Sequence, residues 1–432
     1  MFAHLLSGAW RRRAVILAAA VILGAIWAWK PACVAWHLSR GQRALDWLGD
    51  PEAALKQFEA ALRIDPAHGK AHFLLARAHR RLGHAQEVYD HILLARQASF
   101  PEERLRREWI LALAQAGRMD LAEPHVLELL TKPGDDGPEI CAAFVAGYVH
   151  NFEYHQAFRY LEAWQKDYPQ DPEPRIMRGK VRRRFQNYRE AEREFRAAYA
   201  LRPQYKDARE LLAGVLVEQS KYDEAVKLLE QALAESPNDQ RLLLGWAECL
   251  VQLGRYQEAR GVFEKVLAQT PENCQALLGM GRVDLWDDRV ASAVERLEKA
   301  RALCPGRTDV RYALAQALSR AGERERAQRE LAALEEARAA ITRAFDLAEE
   351  LIARPNDAAR RFEIGTLLME YGDAAEGAAW LETIFQFEPE HAEAHRALAR
   401  YYLGRGDQER AAAHQKALHA ADQTTAAGTE AQ

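Results

Sequence analysis

Cysteine is scarce in this 432-residue chain: there are five, Cys33, Cys141, Cys249, Cys274 and Cys304, and no two form a C-x-x-C pair. That excludes a cysteine ribbon for zinc and a C-x-x-C-H haem attachment. A glycine-rich phosphate loop and an H-E-x-x-H helix are also missing, and no nucleophile, acid or base stands in a recognisable constellation. The sequence therefore points to a protein that is not an enzyme and holds no metal or cofactor. Net charge is small as well, −4 from 59 basic and 63 acidic residues. A near-neutral, slightly acidic chain without a nucleic-acid motif argues against nucleic-acid binding. The balance shifts along the chain, from +5 over residues 1–200 to −9 over residues 201–432, so electrostatic preferences differ between its halves.

Long apolar runs are also rare, and one stands out. Three arginines, Arg11 to Arg13, precede sixteen uncharged residues, Ala14 to Trp29, closed by Lys30-Pro31. A helix of that length rises about 24 Å against a hydrocarbon layer of about 30 Å, and Trp10, Trp27 and Trp29 extend it as interfacial anchors. No small-x-small cleavage site follows, so a retained anchor over residues 14–30 is expected, with a cleaved signal as the alternative. The arginine cluster places residues 1–13 in the cytoplasm and the bulk of the chain on the other side of an inner or plasma membrane.

Past the anchor the sequence repeats. Pro169, Pro203, Pro237, Pro271 and Pro305 are 34 residues apart, and Pro355 and Pro389 keep the interval. Ala157, Ala191, Ala225, Ala259, Ala293 and Ala327 share the step, and a bulky residue follows each by four: Leu161, Phe195, Leu229, Phe263, Leu297 and Leu331. Each unit reads as two helices stopped by a proline, too small to bury its own apolar face, so that neighbours must stack.

These residues resemble the tetratricopeptide repeat, with about eleven units between Ala35 and Ala421. The resemblance implies an all-α, right-handed superhelical solenoid preceded by one transmembrane helix. Its organisation is about nine repeats over 35–340, an insertion over 341–357 continuing a long helix, two C-terminal units over 358–422, and a small, polar, disordered tail over 423–432. Residues 323–354 contain neither Gly nor Pro, and their 4,3 apolar rhythm fits a lengthened repeat helix or a surface for a partner helix.

By the same resemblance the first helices of the units line a groove that holds other proteins. Basic residues fall on those positions toward the membrane end: Lys70, Arg77, Arg80, Arg81, Arg104 and Arg107, then Lys180, Arg183 and Arg184. Ala142, Ala146 and Val149 interrupt them, and Glu210, Glu218 and Glu248 end the basic character. This groove is expected to take an acidic peptide segment, arginine being suited to carboxylates by its planar fork; a solvated face balanced by nearby acids is the plainer reading. Arg175, Arg178 and Arg182 occupy packing slots, where their stems can cover apolar surface while their heads reach water or nearby acids such as Glu173, Glu190 and Glu194. His68/His72 and His391/His395 have metal-gripping spacing, but their equivalent places in two units point to shared repeat descent. Cys274 and Cys304, near equivalent corners of successive units, are expected to remain thiols because that spacing is wide, with pairing in an oxidising compartment as the alternative. The functional expectation is a membrane-anchored scaffold in a cell-envelope assembly or biogenesis process. An accessory subunit that delivers substrate protein to an envelope enzyme is the alternative.

Overall fold

A computed structural model describes residues 29–351, 354 and 356–429. The expected anchor, apart from Trp29 and Lys30, and the last three residues lie outside the described residues. Among the described residues every regular element is helical, and no helix is long and apolar enough to cross a membrane.

The helices form antiparallel hairpins. The first pairs α1, residues 29–42, which continues into a π turn Arg43–Trp47, with α2 (Pro51–Ile64). Then come α3 (Gly69–Leu82) with α4 (Ala85–Gln97), and α5 (Glu102–Gln115) with the short α6 (Met119–Ala122) and α7 (Val126–Thr131). Next are α8 (Gly137–His150) with α9 (Tyr154–Asp167), α10 (Glu173–Arg184) with α11 (Tyr188–Leu201), and α12 (Lys206–Glu218) with α13 (Tyr222–Glu235). They are followed by α14 (Gln240–Gln252) with α15 (Tyr256–Gln269), α16 (Cys274–Trp286) with α17 (Val290–Leu303), and α18 (Thr308–Arg320) with α19 (Arg324–Leu351). The last are α20 (Ala358–Tyr371) with α21 (Ala374–Glu382), and α22 (Ala392–Gly404) with α23 (Gln408–Thr429). This is an all-helical tetratricopeptide-type solenoid. It divides into two compact units, one comprising residues up to Val181 plus Arg193–Arg209, the other Arg182–Glu192 plus Glu210 onward.

Local chemistry sets each hairpin. Asp50, His68, Asp239, Asn273, Asp357, Asp373 and His391 cap helix starts by accepting backbone N–H bonds, satisfying donors that the first turn leaves orphaned. Hairpin corners carry a left-handed residue with the 34-residue step: Phe152, Gln186, Ser220, Gly254, Asp288 and Gly322 all have φ between 55° and 83°. Glycine adopts that conformation freely, whereas the other residues incur a cost of about 1–2 kcal/mol.

The periodic apolar residues form the core. Ala157, Ala191, Ala225, Ala259 and Ala293 are fully buried, as are Leu161, Phe195, Phe263 and Leu297. A Cβ added at Gly179 would strike the Phe195 ring, and one at Gly279 the Phe263 ring, so a small residue admits the ring of the adjacent helix, within the α10–α11 hairpin in the first case and between α15 and α16 of successive hairpins in the second. Leu331 leaves the pattern at 41 % exposed. In α19 the residues that bury instead are Leu334, Ala337, Ala344, Leu347, Ala348 and Leu351, which pack the long helix on α18 and α20.

One expectation changes. Cys274 and Cys304 form a disulfide, with Cα atoms 6.4 Å apart. They are the two ends of one hairpin rather than corners of successive hairpins, and antiparallel pairing brings such ends within bridging range. Helix α23 runs to Thr429.

Candidate functional site

The basic residues of α3 converge on acids from later hairpins of the first unit. Arg77 Nε lies 3.2 Å from Glu108 and its Nη2 2.9 Å from Asp136. Arg80 bonds Glu108 at 2.5 Å, Glu139 at 2.5 Å and the Gln115 amide oxygen at 3.1 Å. Arg81 pairs with Glu139, donates to the Leu45 carbonyl at 2.6 Å and reaches Asp46 at 3.1 Å. Arg107 contacts Asp136 at 3.1 Å and donates to the Pro133 and Lys132 carbonyls. Arg80 is 3 % exposed and Glu108 1 %, so this is an interior ion network rather than an open basic surface. Burial works against the Glu139 carboxylate, but Arg81, Arg80 and Arg77 outweigh it and hold its pKa well below the usual carboxylate range.

The other predicted groove residues divide into paired and open. Lys180 meets Asp207 at 3.0 Å. Arg183 grips Glu218 through Nε and Nη2 at 2.9 and 2.7 Å, and Arg184 pairs with Glu376. Arg175 and Arg178 cover packing surface and share Glu194, each at 3.4 Å, and Arg182 takes Glu190 at 3.0 Å. Lys70 and Arg104 are exposed. Arg104 lies over the Phe73 ring at 4.8 Å and the Phe100 ring at 5.7 Å. The nine candidates are therefore not one free patch. Arg77, Arg80, Arg81 and Arg107 come together with acids, while Lys180, Arg183 and Arg184 bond to acids of their own units.

Three further features escaped the sequence reading. Asp284 of α16, fully buried, is ringed by Arg260, Arg289 and Arg296. The hairpin joining α5 to α8 breaks its second helix at Pro124 and leaves Leu121, Leu127 and Leu130 exposed at 44, 73 and 40 %. A cleft of about 670 Å³ runs between α1 and the turn joining α2 to α3, lined among others by Val34, Leu38, Ile64, Lys30, His68 and Lys70.

The histidine pairs have a structural explanation. His68 and His391 each cap their helix. His72 bonds the Pro66 carbonyl through Nε2 and His91 through Nδ1 at 3.1 Å, and His395 repeats both contacts with Pro389 and with His414 at 2.9 Å. The same packing thus occurs in two repeats. Burial, with His72 and His79 nearby, pushes the His91 imidazole down to about 4.

Tetratricopeptide-repeat family profiles match residues 216–283 and, with a second profile, residues 40–87 and 176–239. No curated protein matches the chain significantly. Among solved structures, a tetratricopeptide repeat protein from Parabacteroides merdae is 18% identical over 66% of this chain and 99% of its own, with a TM-score of 0.35. PilW, a type IV pilus biogenesis factor, is 18% identical over 46% of this chain and 92% of its own, with a TM-score of 0.41. The Cut9-Hcn1 assembly of the APC/C is 16% identical over 85% of this chain and 76% of its own, also at 0.41.

Proposed function

We propose that this chain, which carries tetratricopeptide repeats, is a membrane-tethered scaffold that holds other proteins in a cell-envelope assembly or biogenesis process, without chemistry of its own. The observation that carries the scaffold reading is the succession of helical hairpins among the described residues, in which many of the arginines are held by acids of other helices. The apolar run Ala14–Trp29 supports the tether, and the Cys274–Cys304 disulfide fits an oxidising compartment.

Binding falls to what the ion network leaves open. Lys70 and Arg104 are exposed cations of the groove, suited to an acidic segment, and Leu121, Leu127 and Leu130 offer apolar contact on one broken hairpin. Crosslinking in cells, followed by affinity purification and mass spectrometry, tests this with the native chain and a Lys70→Glu, Arg104→Glu variant. The expected result is loss of a specific set of proteins from a variant whose helical content is unchanged. An identical partner set would remove the acidic-segment reading, and turnover of a substrate by the purified chain alone would remove the scaffold.

A further inference from the structure

Helix α1 is buried on one side only. Val34, Leu38 and Gly41 face the core, and Leu45 continues that line through the π turn. At 100° per residue the opposite line is Trp29, Trp36, Arg40 and Arg43, followed by Trp47. All five are exposed, the three tryptophans at 63, 51 and 49 %. The Arg40 guanidinium sits over the Trp36 ring at 4.7 Å, and Arg202 over the Trp47 ring at 4.5 Å. Trp47 and its carbonyl are engaged by Arg202 of a later hairpin, but Trp29 and Trp36, beside Arg40 and Arg43, are exposed indoles that are costly to leave in water.

We propose that this face of α1 lies in the headgroup layer of an anionic bilayer, its indoles among the glycerol and carbonyl groups and its arginines on lipid phosphates. The proposal rests on the tether reading, for Trp29, the first described residue of α1, is also the last residue of the apolar run, which brings the helix to the membrane surface. Pro31 has no backbone N–H to give and clashes with the preceding turn, so it disfavours one straight helix running on from the apolar run. A kink there lets α1 turn along the surface; continued along the membrane normal, its line of about 27 Å from Trp29 to Trp47 would outrun the headgroup zone. The chemistry agrees: tryptophan collects at membrane interfaces, and cations beside it are drawn to anionic lipid.

The test uses the full chain reconstituted in vesicles of phosphatidylglycerol and phosphatidylcholine, with p-benzoylphenylalanine placed singly at Trp36, Arg40 or Leu127, the last being an exposed control on another hairpin. An alkaline wash of the same vesicles reads the tether separately. The proposal expects lipid adducts at positions 36 and 40 and none at 127. With the photoprobe at 36, Arg40→Gln and Arg43→Gln each weaken the local association about fivefold and the adduct falls accordingly. Retention after the wash with no lipid adduct at 36 or 40, or with adducts to a second copy or another protein, overturns the proposal and leaves the tether. Release by the wash with lipid adducts intact overturns the tether and leaves the face as a lipid contact. Release without adducts overturns both. Circular dichroism of each variant checks that the hairpins remain folded.

Discussion

Removing the Arg80 side chain should destabilise the first unit more than almost any other single change. Its guanidinium is held between Glu108 and Glu139, with side-chain exposures of 2, 1 and 9 % in that order. In Arg80→Met the thioether fills the stem volume, but Glu108 keeps only Arg77, and Glu139 only Arg81. Breaking a buried pair on one side costs about 3–5 kcal/mol, because the remaining charge stays desolvated and undercompensated. Hydrogen exchange of α3 amides reads that change directly as a loss of protection. Neutralising the stranded acids as well, in Arg80→Met with Glu108→Gln and Glu139→Gln, should recover a large part of the loss, since apolar and neutral replacements of a whole buried network are often tolerated. A loss under about 1 kcal/mol for the single substitution, the scale of an exposed pair, would refute the network as an interior structural element.

The same network gives a pH dependence. Glu139 has a folded pKa below its unfolded one, so its stabilisation is complete above the ordinary glutamate range near 4.3 and is lost as pH falls below it; α8 exchange should accelerate with acid, and Glu139→Gln should flatten the response. His91, pushed down to about 4, likewise contributes above about 6.5 and loses that contribution as pH drops toward 4, so His91→Phe should remove a destabilisation visible in that window by titration of α4 protection. At the left-handed corners, Gln186→Gly, Ser220→Gly and Asp288→Gly should each stabilise by about 1 kcal/mol in urea melts. Opening the Cys274–Cys304 bridge by a Cys304→Ala change should lower the stability of the second unit by about 3–4 kcal/mol, from the 30-residue separation it closes, with non-reducing peptide mapping confirming the bond in the native chain.

The repeat period was legible because proline, alanine and bulky residues recur at one spacing, and their burial follows from a single hairpin geometry. Leu331 shows the limit of that rule: it keeps the period, but α19 runs on past the usual end of a second helix and turns other residues inward. The left-handed corners were partly legible in Gly254 and Gly322, but Gln186, Ser220 and Asp288 hide the same conformation under ordinary side chains. The basic residues lie on the first helices of their units, as read, and Glu194 and Glu190 meet Arg175, Arg178 and Arg182 as expected, while the individual partners of the groove arginines were not foreseen. Arg77 and Glu108 are 31 residues apart, and Arg183 and Glu218 are 35, so reading charge at one-repeat separations would have paired these two; Arg80 and Glu139 are 59 apart and Arg184 and Glu376 192, beyond any such rule. The α1 face needed only the helical period, but its opposite line stays ambiguous until the structure shows which side is covered.

The most direct measurement is the affinity of a partner identified by crosslinking, compared between the native chain and a variant with Lys70→Glu, Arg104→Glu, Leu121→Ser, Leu127→Ser and Leu130→Ser. The account predicts at least tenfold weaker binding, about 1.4 kcal/mol, with hydrogen exchange in α3, α5 and α8 unchanged. Equal affinity in a folded variant would contradict it.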